Sequence, residues 1–218
     1  MILITCKILR PCGDQRIKEF INESLNAFGN ELKAIAESMY RYPNSLMGID
    51  GKESINDVFA LIERSYVGLY GNAVVRRFPA DAVLQEFPVY QKDEIYNKEK
   101  FRGRADLFIV HKIDNSFINL LFEAKALPAE WKNNTKELVS YYKGVHDQAL
   151  SYYNSEKDFY TGDTYIITIN FDWIRSKNLL DEVLKEEYSD DGCTDFYNIY
   201  HTKEAGLMVY GNITKVEV

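Results

Sequence analysis

The chain is poor in cysteine. Only Cys6, Cys12 and Cys193 occur in 218 residues, an odd and scattered set without a CxxC pair. Neither a disulfide framework nor a zinc site is therefore encoded, and a reducing compartment is expected. No apolar run reaches the roughly 18 residues of a membrane span. The opening MILITCKILRPCGDQ has an apolar stretch too short for a signal peptide, with its charges after rather than before it. These absences lead to the expectation of a soluble, cytoplasmic protein with no membrane partner. Histidine is scarce as well: His111, His146 and His201 show no metal-ligand spacing, and no Ser/His/Asp arrangement is visible in sequence order. A glycine-rich phosphate loop is missing, which excludes a nucleotide-driven motor. Repeats, low-complexity tracts and Gly/Ser linkers are missing too. Basic charge is in deficit, with 26 Lys and Arg against 33 Asp and Glu and a net charge of −7. That balance argues against bulk adhesion to nucleic acid. It is compatible with a local basic track, and carboxylates gathered for metal ions make a chain acidic until the cations are added.

What is present describes a folded domain. Hydrophobic residues make up 46%, with 16 Tyr and 12 Phe, far too many for a disordered chain, and the length suits one domain over residues 1–218. Ile17, Phe20, Ile21, Leu25, Phe28, Leu32, Ile35 and Met39 recur at helical spacing, predicting a helix from Asp14 to Tyr40. The stretch from Tyr42 to Gly51 breaks it. A second helix is predicted from about Ser54 to Tyr70, on a stripe of Ile55, Val58, Phe59, Ile62, Tyr66 and Leu69, with Gly71-Asn72 and Gly192 read as turns. Strands are predicted at Val83 to Tyr90, Gly103 to Val110 and Phe117 to Ala126, then a helix from Thr135 to Asn154 and a buried strand at Tyr165 to Ile169. A short helix near Leu179 to Tyr188 and strands around Phe196 to Tyr200 and Gly206 to Val216 complete the chain. The expected fold is α/β, with an αβββαβ core over 53–171, a mixed central sheet flanked by helices, an extra N-terminal helix in 1–50, and a C-terminal helix and strands in 172–218.

The strongest chemical signal lies in the second and third strands. Asp114-Asn115 suits a two-residue turn, since both residues tolerate the left-handed conformation. With that fold point, the register sets Asp106 opposite Glu123 and Arg104 opposite Lys125. Directly opposed residues have Cβ atoms about 4.5–5.5 Å apart, so two acids would stand at metal-bridging distance. Strand alternation puts Glu123 and Lys125 on one face, and Phe122, Ala124 and Ala126 on the other. The like-charged pair Arg104 and Lys125 would be relieved by an anion, such as a phosphodiester.

These residue types suit one chemistry. Carboxylate oxygens hold Mg²⁺ or Mn²⁺, which prefer hard oxygen ligands. Such an ion lowers the proton affinity of bound water and neutralises charge on a phosphate. Lys125 would position or deprotonate the attacking water, or stabilise the pentavalent phosphorus. Glu-x-Lys alone recurs by chance in a chain this charged, where it usually marks a solvated ladder of ion pairs. The apolar Asn119-Leu120-Leu121-Phe122 running into Glu123-Ala124-Lys125 is what raises it.

Gly103-Arg104-Ala105-Asp106 with three apolar residues after it, followed by Glu123-Ala124-Lys125, resembles the D and (D/E)xK motifs of the PD-(D/E)xK nuclease superfamily. Gln148-Ala149-Leu150-Ser151-Tyr152 is similar to the QhxxY motif of its RecB-like branch, and the Glu86-Phe87-Pro88 strand fits that branch too. The resemblance covers about Glu53 to Phe171 and departs in having Ala105 where the motif has proline. It implies a restriction-endonuclease-like core and metal-dependent hydrolysis of phosphodiester bonds in DNA. Asp106 and Glu123 would then be metal ligands, and Lys125 the catalytic base or electrostatic stabiliser. By its position alone Gln148, an amide on an apolar stripe, would be a satisfied core group. The resemblance instead gives Gln148 and Tyr152 a supporting role, touching the nucleic acid backbone or orienting the lysine, and many relatives bring a further glutamate from the first core helix to the metal. Glu63, at the edge of that helix's apolar stripe, is preferred to Glu53. Relatives that hold an iron–sulfur cluster need four cysteines, which this chain does not have. The alternative is a nuclease-like fold that binds nucleic acid or protein without turnover. RNA is the other candidate substrate, and cleavage of both strands of a duplex would favour a two-fold dimer.

Overall fold

Asp14 begins the first helix as a cap. Its Oδ1 accepts the amide of Arg16 at 3.0 Å, satisfying one of the amides that a helix N-terminus leaves without a partner. The structure, a computed structural model, describes residues 3–7, 14–41, 63–93, 98–128, 135–157, 160–174, 176–185 and 195–216. Along the chain these form β1 (Leu3–Lys7), α1 (Gln15–Arg41), α2 (Glu63–Arg77), β2 (Ala82–Asp93), β3 (Lys98–Ile113) and β4 (Ser116–Pro128). Then come α3 (Thr135–Glu156), β5 (Thr164–Ile174), α4 (Lys177–Lys185), β6 (Phe196–His201) and β7 (Gly206–Val216). No described helix is long and apolar enough to cross a membrane.

The strands build one open sheet of seven, in the order β1-β6-β7-β5-β4-β3-β2. Among the described strands the β4–β5 pair is parallel and the others are antiparallel, so the sheet is mixed. Parallel neighbours cannot be joined by a tight turn; α3 supplies the crossover. Strand alternation then divides the core. Leu120, Phe122 and Ala124 of β4 and Tyr165, Ile167, Ile169 and Phe171 of β5 face α1 and α2, and Ile17, Phe20, Leu25, Phe28, Tyr66 and Tyr70 close over them. On the other face Ala149 and Tyr153 of α3 pack on Leu121 and Ile166, and Leu180 of α4 packs on Ile174, Met208 and Tyr210.

Three departures from expectation have physical causes. The N-terminal helix is no appendage, because Phe28 of α1 lies against Tyr70, Phe171 and Tyr200 and shares one core with α2. The described part of the second helix begins at Glu63 and continues to Arg77, through Gly71-Asn72; residues 51–62, with the rest of its predicted stripe, lie outside the described residues. Gly71 is a contact rather than a turn, since a Cβ there would stand 2.9 Å from Gln85 Nε2 and 3.4 Å from Leu107 Cδ1. Gly192 also lies outside the described residues. Finally, β1 pairs with β6, from Leu3 opposite His201 to Lys7 opposite Tyr197, a partner too remote in sequence for local periodicity to reveal.

Candidate active site

The hairpin of β3 and β4 turns at Asp114-Asn115, and its ladder runs from Ile113 opposite Ser116 to Leu107 opposite Phe122, in the expected register. Of the two turn residues only Asp114 has a positive φ, 49°. The ladder ends one step before the expected Asp106–Glu123 pair. Two carboxylates directly opposed would repel, and the strands separate instead. Asp106 Oδ2 accepts the amide of Ala124 at 2.7 Å. Beyond it Glu63 Oε2, from the first turn of α2, accepts the amide of Ala126 at 3.2 Å. Two side-chain carboxylates thus satisfy the β4 amides that a neighbouring strand would otherwise satisfy.

Lys125 lies among the acids. Its Nζ donates to Glu123 Oε1 at 3.2 Å and to the Ala124 carbonyl at 2.7 Å, and stands 3.9 Å from Glu63 Oε1. Gln148 reaches in from α3, its Nε2 donating to Glu123 Oε1 and lying 3.0 Å from the Tyr152 hydroxyl. The predicted helix face is realised, and the amide steadies Glu123 rather than the lysine. Glu53 lies outside the described residues, while Glu63 is at the site.

Glu123 is only 1% exposed, and its Oε2 has no hydrogen-bond partner. Burying a carboxylate oxygen without a donor costs free energy unless a proton or a cation compensates. Burial, then the charges of Asp106 and Glu63, push Glu123 up to about 7, Lys125 opposing. Burial likewise raises Asp106 and Glu63 above the ordinary carboxylate range. For Lys125 burial would lower the ammonium, but Glu123, Glu63 and Asp106 together raise it, so it stays charged.

The donor set is all hard oxygen, which suits Mg²⁺ or Mn²⁺, and Glu123 Oε2 is a buried acceptor in want of a partner. Among the described residues no group of at least three His, Cys, Asp or Glu side chains is drawn together closely enough to hold a metal ion.

Arg104 does not face Lys125. The ladder between β3 and β4 has ended, and Arg104 Nη1 donates to Glu86 Oε2 at 2.7 Å. Arg64 Nε donates to Glu86 Oε1 at 2.6 Å. A cleft of about 440 Å³ is lined by Glu63, Arg64, Val67, Gln85, Glu86 and Asp106. Sequence reasoning did not single out Arg64 or Gln85, because nothing in their spacing links α2 to β2. It also passed over β5, where the parallel register sets buried Thr168 beside Glu123 and buried Asn170 beside Lys125. The polar alternation Thr168, Asn170, Asp172 within an apolar strand was the available signal. The histidines stay apart: His111 binds Asp81 at 2.7 Å between Phe20 and Phe78, His146 meets Thr214, and His201 the Thr202 carbonyl.

A scan of family models and searches of curated proteins and solved structures found no match to this chain.

Proposed function

We propose that this chain is a divalent-metal-dependent nuclease of the PD-(D/E)xK type, hydrolysing phosphodiester bonds in DNA. The observation that carries the reading is the parting of β3 and β4 at Asp106, where the charges of Glu63, Asp106 and Glu123 act on one lysine, Lys125, and Glu123 Oε2 is buried with no hydrogen-bond partner. A structural ion pair does not need three acids for one lysine, and such clusters of displaced pKa mark functional sites.

In hydrolysis a water oxygen bonds to phosphorus while the bond to the leaving oxygen breaks, and that oxygen ends protonated. Mg²⁺ or Mn²⁺, held by Asp106, Glu123 and Glu63, would supply Lewis-acid activation of the water and neutralisation of phosphate charge. The Lys125 ammonium, kept protonated by its acidic neighbours, offers positive charge to the crowded phosphate oxygens. This favours the electrostatic role over that of base. Gln148 fixes the carboxylate of Glu123, and the Tyr152 hydroxyl accepts a hydrogen bond from the same amide nitrogen. The cleft lined by Asp106 and Glu63 is where a strand would approach the site.

The test is cleavage of end-labelled single-stranded and duplex DNA, with RNA in parallel, in Mg²⁺, in Mn²⁺ and in chelator. Metal-dependent products that vanish with Lys125→Ala support the reading. Cleavage that survives Lys125→Ala removes the site assignment, and tight DNA binding with no cleavage under any metal leaves a binding module instead.

A further inference from the structure

Of the residues assigned above, Glu63 and Asp106 line the cleft. In the same lining the Glu86 carboxylate of β2 is held between two guanidiniums from separate elements. Arg64 of α2 gives Nε to Oε1 at 2.6 Å and closes on the same oxygen with Nη2, while Arg104 of β3 gives Nη1 to Oε2 at 2.7 Å. Each carboxylate oxygen therefore has its own arginine.

Glu86 is reached at a conformational cost. Gln85 pairs with Leu107 and Phe87 with Ala105, so Glu86 lies across from Asp106. An extended Glu86 would set a second acid against Asp106, and the residue instead adopts a φ of 49°. That left-handed backbone is strained for a side chain bearing a Cβ and no local turn chemistry. Packing does not explain it, because the Arg64 and Arg104 side chains are 77% and 58% exposed, and ion pairs so open to water contribute little to stability. The arrangement does keep two planar donor forks parked on one anion, beside a cleft that Asp106 and Glu63 also line.

We propose that Arg64 and Arg104 form a seat for a DNA phosphate neighbouring the scissile one, and that Glu86 fills this seat when no strand is bound. The inference rests on the nuclease reading and extends it to the contact that positions the strand. A phosphodiester has two non-bridging oxygens and can take over both guanidiniums from the two carboxylate oxygens, so the exchange loses no hydrogen bond. Once displaced, Glu86 is free in solvent. Before binding, the one Glu86 charge offsets one of the two guanidinium charges, and Asp106 and Glu63 stand in the same cleft as Arg64, which discourages stray anions. During binding, withdrawal of Glu86 leaves both guanidiniums to the strand.

The experiment is fluorescence anisotropy of labelled single-stranded and duplex DNA in Mg²⁺, with Lys125→Ala as the parent so that turnover does not intrude, across a salt series. Arg64→Ala and Arg104→Ala should each weaken binding about tenfold and reduce the salt slope by about one. Glu86→Gln should tighten binding several-fold. Glu86→Gly, which accepts the positive φ without strain, should do the same and covers the case in which the glutamine variant does not fold. Arginine variants that bind like the parent with an unchanged slope overturn the seat while leaving the nuclease reading intact. Weaker binding by both Glu86 variants overturns it as well. An unsubstituted protein that neither cleaves nor binds DNA overturns the nuclease reading, and the seat with it.

Discussion

Asp106 Oδ2 accepts the amide of Ala124 at 2.7 Å, the hydrogen bond that a main-chain carbonyl would accept if β3 and β4 stayed zipped. The position of the acid and the end of the ladder are one event. Glu63 repeats the device at Ala126 from a different element, so a helix and a strand each contribute an acid to the gap.

Asp106 then has two separable duties, anchoring an amide and presenting charge. Asp106→Asn keeps an acceptor for Ala124 and loses the charge, so urea unfolding should match or exceed the parent while cleavage falls by about a hundredfold or more. Asp106→Ala also leaves the amide unsatisfied and should lose about 1–3 kcal/mol of stability. Equal stability of the two variants would refute the anchoring role.

Glu123 should make the metal-free protein less stable as pH rises. Its folded-state value is raised to about 7, so its proton-linked stability is full below the ordinary glutamate range and is lost as pH climbs through that range towards 7. In chelator at about pH 8, Glu123→Gln should therefore be more stable than the parent, on the order of 1 kcal/mol. At about pH 4 the gain should shrink. Mg²⁺ should raise the thermal midpoint of the parent and do much less for the variant. A variant no more stable than the parent at the higher pH contradicts this account.

Gln148 acts through Glu123. Gln148→Leu keeps the helix and the volume but removes the donor, and kcat should fall about tenfold with KM little changed. Gln148→Glu sets a further acid beside Glu123 and should do worse. A loss confined to KM would instead mean that Gln148 touches the strand.

Asp14 offers an acid-stability test far from the cleft. Its carboxyl is held below the usual carboxylate range by the Arg16 guanidinium, against burial and with help from the Tyr165 hydroxyl. A depressed carboxylate contributes stability above its unfolded value and loses it as pH falls through its folded one. Asp14→Asn retains the helix cap and removes the charge. The parent's advantage over this variant should hold at about pH 7 and shrink steadily as pH falls from about 4 towards about 2. The same advantage at both values would contradict the charge assignment.

The hairpin was legible because its information is local. A two-residue turn and strict alternation were enough to bring Asp106, Glu123 and Lys125 to one place; the 4 and 3 spacing of α3 put Gln148 on the face of Val145 and Tyr152, and only the family resemblance assigned it to the site. The fork was not legible, since periodicity describes where side chains point and not where repulsion opens a ladder. Arg104 was misplaced for that reason: the register was extended through a gap. The left-handed Glu86, the reach of Arg64 and the close approach at Gly71 depend on elements that meet only in three dimensions. So does β1, whose five residues carry no signal of their partner.

The pairing of Leu3–Lys7 with β6 has a consequence for how the chain is made. β1 must wait, as the chain is made, for a strand that follows it by nearly two hundred residues, and until then its residues have no strand to pair with. A nascent chain held short of β6 keeps β1 unpaired and is the species for which a chaperone would compete.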